Sequence, residues 1–286
     1  MTPRGNAPRV SLIIATYNWP DALDLVLDSA CRQSWRDYEI VIADDGSRPD
    51  TATLIAGWTA RAPVPIVHSW QEDRGYRLAR SRNLAVTRSR GDYLIMLDGD
   101  CLLLPNFVAT HMKFAERGWF TAGRRCYLRR WLTRQTLTER QRLHTWPRAA
   151  LFPTALFGGS NRPLQLLPLP QSDAARRKRA LDWDQAQGCN LGVWREDFIR
   201  VGGFDEGFEG WGLEDTDLVL RLLRGRVRRL TLQHAEPVLH LWHKRRSGAP
   251  DHDARLEALV ASDARMPGQS MFLKSSVDRI SQDTSP

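Results

Sequence analysis

Short apolar runs rich in β-branched residues alternate with amphipathic stretches over residues 9–100, and this alternation constrains the fold more than any other feature of the chain. VSLIIAT (Val10–Thr16) is too short for a helix and is closed by Tyr17-Asn18-Trp19-Pro20. Pro20 suits a first helical turn, and Leu23, Val26, Leu27 and Ala30 share one face, which predicts a helix from Pro20 to about Gln33. EIVIA (Glu39–Ala43) repeats the buried-strand pattern. A helix over Asp50–Thr59, a strand at Ile66–His68, a helix from Tyr76 to Thr87 and a strand within DYLIMLDGD (Asp92–Asp100) follow. Strands buried on both faces and separated by helices imply an α/β fold: a mainly parallel central sheet, helices on both faces, right-handed crossovers.

Open sheets of this kind bind ligands at the carboxyl ends of their strands. Thr16-Tyr17-Asn18, Asp44-Asp45 and Asp98-Gly99-Asp100 all fall there and should share one crevice. Asp98 and Asp100 stand two apart, a spacing that suits a shared divalent cation, and Gly99 is expected to let a ligand approach the backbone. A solvated acidic turn is the alternative. The chain has neither a Gly-rich loop ending in Gly-Lys-Ser/Thr nor a Gly-x-Gly-x-x-Gly after its first strand, which argues against a P-loop NTPase or a dinucleotide-binding oxidoreductase.

Composition, with 42% hydrophobic and 26% charged residues, is that of a globular protein. The net charge of +8 suits an anionic partner: a nucleotide diphosphate, an acidic glycan, a lipid surface or nucleic acid. Val10–Ala15 is too short to span a bilayer, so a soluble or peripheral cytoplasmic protein is expected. Cys31, Cys101, Cys126 and Cys189 lack the short spacings of a zinc knuckle or disulfide framework and read as reduced thiols.

From Trp119 to Asp182 Trp, Pro and Arg become frequent, as in an insertion or second lobe. Arg124, Arg125, Arg129, Arg130, Arg134, Arg140, Arg142 and Arg148 are interleaved with Trp131, Leu132, Leu143 and Trp146. Either an interfacial helix on anionic lipid or a solvated helix beside a cleft fits. Arg176-Arg177-Lys178-Arg179 reads as a solvated loop. Further on, Leu218, Val219, Leu222 and Leu223 form a helical stripe with Gly225 as its stop, so Glu214, Asp215 and Asp217 crowd a helix start that keeps carboxylates ionised. His240 and His243 could share a metal only if the chain turns near Leu241-Trp242, since residues three apart on a strand face opposite ways.

VSLIIATYNWPDALDLVLDSACRQSW, EIVIADDGS, ARSRNLAVTRSRGDYLIMLDGD and GWGLEDTDLVLRLLRG together resemble family 2 glycosyltransferases of the GT-A fold, and the galactosyltransferase and chondroitin-polymerase type most closely. The match spans about residues 9–118 and 188–246. The resemblance assigns Ala15, Tyr17, Asp45, Arg82 and Asp98 to the nucleotide, usually a uridine diphosphate, and Trp211 and Glu214 to the acceptor sugar. It makes Asp215 the catalytic base and Asp100, His240 and His243 the ligands of manganese or magnesium, with imidazoles favouring manganese. It implies an inverting transfer of a hexose or N-acetylhexosamine from a nucleotide-diphosphate sugar to a glycan or lipid-linked acceptor of a bacterial surface polysaccharide or lipopolysaccharide. The implied layout is one continuous domain: a nucleotide half at 1–105, an acceptor half at 106–246 with a basic insertion at about 119–182, and a polar tail at 247–286. A sugar nucleotidyltransferase and, more distantly, a nucleic-acid-binding module are the rivals; acids clustered at three strand ends oppose the latter, and no nucleic-acid partner is expected.

Overall fold

A computed structural model describes residues 9–183, 186–244, 250–261 and 270. The amino-terminal half follows the alternating pattern: β1 (Val10–Thr16), α1 (Pro20–Cys31), β2 (Tyr38–Asp44), α2 (Pro49–Thr59), β3 (Ile66–Trp70), α3 (Leu78–Arg88) and β4 (Tyr93–Asp98). Next come β5 (Cys101–Leu102), α4 (Phe107–Lys113), β6 (Trp119–Ala122), β7 (Arg125–Tyr127), α5 (Arg130–Thr138), α6 (Arg148–Thr154) and α7 (Asp173–Arg177). The chain returns through β8 (Leu191–Trp194), α8 (Arg195–Arg200), α9 (Glu214–Arg224), β9 (Arg228–Thr231), β10 (Val238–His240) and α10 (Pro250–Ala261).

Among the described residues the strands form a seven-stranded sheet of order β3-β2-β1-β4-β8-β6-β9 and a three-stranded sheet of order β5-β10-β7. β1 pairs in parallel with both β2 and β4, and β2 with β3, as the buried runs require. Period-two alternation sends Leu12 and Ile14 into a core beneath α1 and α2, and Ile13 and Ala15 into a second core beneath α3 and α9. β8 is the exception, antiparallel to both β4 and β6, which makes the sheet mixed but mostly parallel.

Several boundaries differ from the sequence reading. β6 belongs to the central sheet through β8 and β9, so the inserted segment begins only after Ala122. Arg176-Arg177-Lys178-Arg179 is no free loop: α7 is capped by Ser172, Arg176 is buried and donates to Thr231 O, and Arg177 pairs with Glu116 and Asp173. The expected polar tail contains α10, whose His252 is buried against the loop before α9. SSVDRISQDTSP lies outside the described residues. No helix among the described residues is long and apolar enough to cross a membrane.

A buried polar chain fastens β8 in place. The Tyr93 hydroxyl meets Thr121 Oγ1 at 2.7 Å, Thr121 Oγ1 meets His111 Nδ1 at 2.8 Å, and His111 Nε2 meets Asn190 Oδ1 at 2.9 Å. The network is satisfied when neutral His111 donates from Nε2 and accepts at Nδ1. Gly192 is required beside it, because a Cβ there would lie 2.5 Å from both the Thr121 and the Tyr93 oxygens. Burial pushes the His111 imidazole down to about 4. The unfolded chain therefore binds a proton that the folded chain refuses between about pH 4 and the ordinary value near 6.5, and stability falls as pH drops through that window. His111→Gln should remove this share of the slope, up to about 1.4 kcal/mol per pH unit. Urea midpoints at neutral pH and near pH 5 check it; equal losses in wild type and variant would contradict the assignment.

Candidate functional site

The three polar strand ends lie side by side along the edge at which the sequence places a crevice, with Thr16 opposite Asp44 and Ala15 opposite Asp98. β4 ends at Asp98, the chain turns at Gly99-Asp100, and β5 leads into the smaller sheet. Gly99 lets the chain's own backbone pack closely: a Cβ would stand 2.5 Å from the Ala15 carbonyl oxygen at the end of β1. Ala15 is itself buried, so its contribution at the crevice is backbone.

The register of the smaller sheet assembles the candidate metal centre. β10 runs antiparallel to β5 with His240 opposite Cys101, and the Leu241 amide donates to Asp100 O at 2.9 Å. The strand stops there, and the Trp242 amide donates to Thr133 Oγ1 at 2.8 Å. This bend swings His243 back beside His240. His240 Nε2 stands 3.7 Å from Asp100 Oδ1 and His243 Nε2 3.2 Å from Asp100 Oδ2, and the candidate ligand atoms of all three residues lie within 4.8 Å of one another. Burial would raise the Asp100 carboxyl, but the two imidazoles outweigh it and hold it below its ordinary value. Burial lowers His240, whereas the hydrogen bond to Asp100 raises His243. One carboxylate and two imidazoles converging on a small space fit a borderline divalent cation such as manganese.

Asp98 faces the other way. Arg82 on α3, 1% exposed, donates from Nη2 to Asp98 Oδ1 at 2.7 Å and from Nη1 to Glu214 Oε1 at 3.2 Å. The guanidinium is therefore not a solvated helix face; it bridges the carboxylate that ends β4 to the one that opens α9. Burial and the neighbouring Asp215 push the Glu214 carboxyl up to about 7 despite Arg82, so the helix start does not keep this acid at its ordinary value. The Asp215 side chain is oriented by the Gly188 amide, which donates to Oδ2 at 2.9 Å. A Cβ at Gly188 would lie 2.9 Å from Arg82 Nη1, so any larger residue there would push on the guanidinium.

Trp211 is 42% exposed between Gly210 and Gly212, both at positive φ, and Leu213 opens α9 in the left-handed region. A residue missed in the sequence holds this loop: His252 on α10 has Nδ1 2.6 Å from Gly212 O and Nε2 2.9 Å from Glu209 O. Its place in a polar, Arg-flanked segment gave no signal. At the far side of the crevice Tyr17 is partly exposed and donates to Asp73 Oδ2 at 3.0 Å. Asp45 is buried and accepts from Gln71 Nε2 at 2.5 Å and the Arg77 amide at 2.7 Å, and burial raises its carboxyl. Its carboxylate thus orders the loop leading into α3.

The chain resembles known proteins in sequence and in fold. Residues 11–160, just over half of the chain, match the family described as glycosyl transferase family 2, and residues 171–244 match the N-terminal domain of galactosyltransferase. Validoxylamine A glucosyltransferase of Streptomyces hygroscopicus subsp. jinggangensis is 30% identical over 76% of this chain and 52% of its own length. Chondroitin synthase of Escherichia coli is 25% identical over 75% of this chain and 32% of its own length. The chain thus spans about half or less of the curated relatives it matches here. In structure it is similar to a mannosyltransferase of Pyrobaculum calidifontis in complex with GDP-Man and Mn2+, with a TM-score of 0.57 and 18% identity over 98% of this chain and 76% of that one. Staphylococcus aureus TarS in complex with UDP-GlcNAc gives a TM-score of 0.58 and 12% identity over 90% of this chain and 68% of that one. These likenesses establish the GT-A fold, and the sequence match establishes the family: the chain belongs to glycosyl transferase family 2.

Proposed function

We propose that the chain transfers a hexose or N-acetylhexosamine from a nucleotide-diphosphate sugar, with UDP as the nucleotide, to a glycan acceptor, inverting the anomeric configuration. The observation that carries this reading is the convergence of Asp100, His240 and His243 beside Asp98, with Arg82 linking Asp98 to the acidic start of α9. A donor held by Asp98, Tyr17 and the Asp45 loop would lie between the two. Asp100, His240 and His243 would hold a divalent cation, which when bound supplies positive charge to the departing diphosphate. Relatives and neighbours support the class: their names describe glycosyl transfer, and two of the solved structures hold UDP-GlcNAc or GDP-Man, one of them with Mn2+.

On the acceptor side Trp211 offers a ring face for a sugar, and Glu214, whose carboxyl is raised by burial and by Asp215, can hydrogen-bond a hydroxyl. Glu214 is tied to Arg82, and the base is assigned to Asp215, whose Oδ2 the Gly188 amide orients, as the family resemblance implies. Asp215 takes the proton of the acceptor hydroxyl as its oxygen bonds to the anomeric carbon and the bond from that carbon to the phosphate oxygen breaks. A single displacement inverts the centre. A nucleotidyltransferase would instead release pyrophosphate and leave the acidic start of α9 without a role, so product identification separates the two.

Three outcomes are expected. A UDP-sugar with manganese should raise the melting temperature, and His243→Ala should abolish the metal-dependent part; indifference to every nucleotide sugar would remove the reading. Asp215→Asn should lower kcat by about 10²–10⁴ while donor-induced stabilisation persists. Turnover within a few-fold of wild type would reassign the base. Gly188→Ala, which intrudes on Arg82 and the amide that orients Asp215, should cost about tenfold to a hundredfold in kcat. An unchanged kcat would show that the bridge has no part in turnover.

A further inference from the structure

The basic insertion, which the transferase reading leaves without a role, ends in an ordered apolar tip. α6 runs into a π-helical turn, Ala155–Gly159, in which Gly158 has φ 95°. The turn points Leu156 and Phe157 into solvent at 52% and 84% exposure. Beside it on α5, Trp131 is 52% exposed and its Nε1 donates to Gly158 O at 3.1 Å. The Arg129 amide donates to Gly159 O at 2.8 Å, so turn and helix are fastened together. Three large apolar side chains on one fixed protrusion form a patch that water disfavours.

The charged groups nearest the patch are arginines. Arg129, Arg130 and Arg134 are exposed, and none forms a salt bridge among the described residues; Arg130 lies over the Trp242 ring at 5.1 Å. Glu139, at the far end of α5, is engaged by Gln135 and Gln141. We propose that this face docks on a bilayer surface carrying anionic lipid headgroups, with Leu156, Phe157 and Trp131 entering the headgroup boundary and the three guanidinia meeting lipid phosphates. A nucleic acid would engage the arginines and leave the Leu156-Phe157 tip in water, whereas a bilayer matches both.

The position of the patch gives the contact a use. Trp242 stands between His240 and His243 in the chain, its ring lies under Arg130, and its amide donates to Thr133 Oγ1 on α5. Docking would hold that side of the crevice against the membrane, where an acceptor carried on a lipid arrives. This consequence rests on the transferase reading; the docking itself does not.

The test is co-sedimentation of the full chain with vesicles of phosphatidylcholine, alone or with phosphatidylglycerol. Binding is expected only with the anionic lipid and should weaken as salt rises. The pair Arg130→Glu and Arg134→Glu should lower partitioning at least about tenfold. The pair Leu156→Ser and Phe157→Ser should lower it about as much, with melting temperature and metal-dependent nucleotide stabilisation unchanged. Equal binding to both vesicle types, binding to neither, or variants that partition like wild type would overturn the proposal. So would oligonucleotide binding that depends on the arginines but not on Leu156 and Phe157, or a wild-type oligomer that the serine pair dissociates, which would identify a second copy as the occupant. Vesicle binding that persists while nucleotide stabilisation fails would sink the transferase reading alone.

Discussion

A charge that cannot reach water organises the crevice. Arg82 is 1% exposed, so its guanidinium is stable there only while carboxylates surround it, and it has two: Asp98 from the end of β4 and Glu214 from the start of α9. Breaking a buried pair by removing one partner typically costs about 3–5 kcal/mol, because the other charge is left uncompensated. The two halves of the crevice are therefore joined through one side chain. The same interaction explains the glycine before Cys189: the guanidinium fills the space a Cβ at Gly188 would need, and the Gly188 amide is thereby free to face Asp215. The raised Glu214 carboxyl belongs to this arrangement too, since it shares Arg82 with Asp98 and has Asp215 as its neighbour.

How much of this is visible in the sequence depends on the distance over which each constraint acts. β1, β2 and β4 are legible within a few residues because each is a nearly continuous buried run, and α1 and α2 because proline opens them. The helical stripe of α9 with Gly225 at its end is equally local. The convergence of His240 and His243 on Asp100 is legible only as a condition, that the strand must end at the first histidine, which it does. β8 is invisible: a short segment with a glycine at its centre becomes a central strand because Thr121, Tyr93 and His111 pack where a side chain at Gly192 would be. Arg82 looks like one of many arginines on a basic helix, and its partner Glu214 is 132 residues away. His252 is hidden in the same way, since its acceptors are backbone carbonyls with no signature of their own.

The Asp98-Gly99-Asp100 turn shows why three residues can carry so much of the site. Asp98 is the last residue of β4 in the large sheet and Asp100 directly precedes β5 of the small one, so the two carboxylates answer to different elements: one to α3, the other to β10. A turn this tight between sheets brings the chain against β1, and the 2.5 Å clearance at the Ala15 carbonyl leaves room for no side chain between them. The glycine thus sets the separation of the two sheets, and the sheets set the positions of the carboxylates. The positions of the two carboxylates are thus constrained by backbone packing, which in the proposed reading would let a cation and a leaving group be held without reorganisation at the moment of transfer.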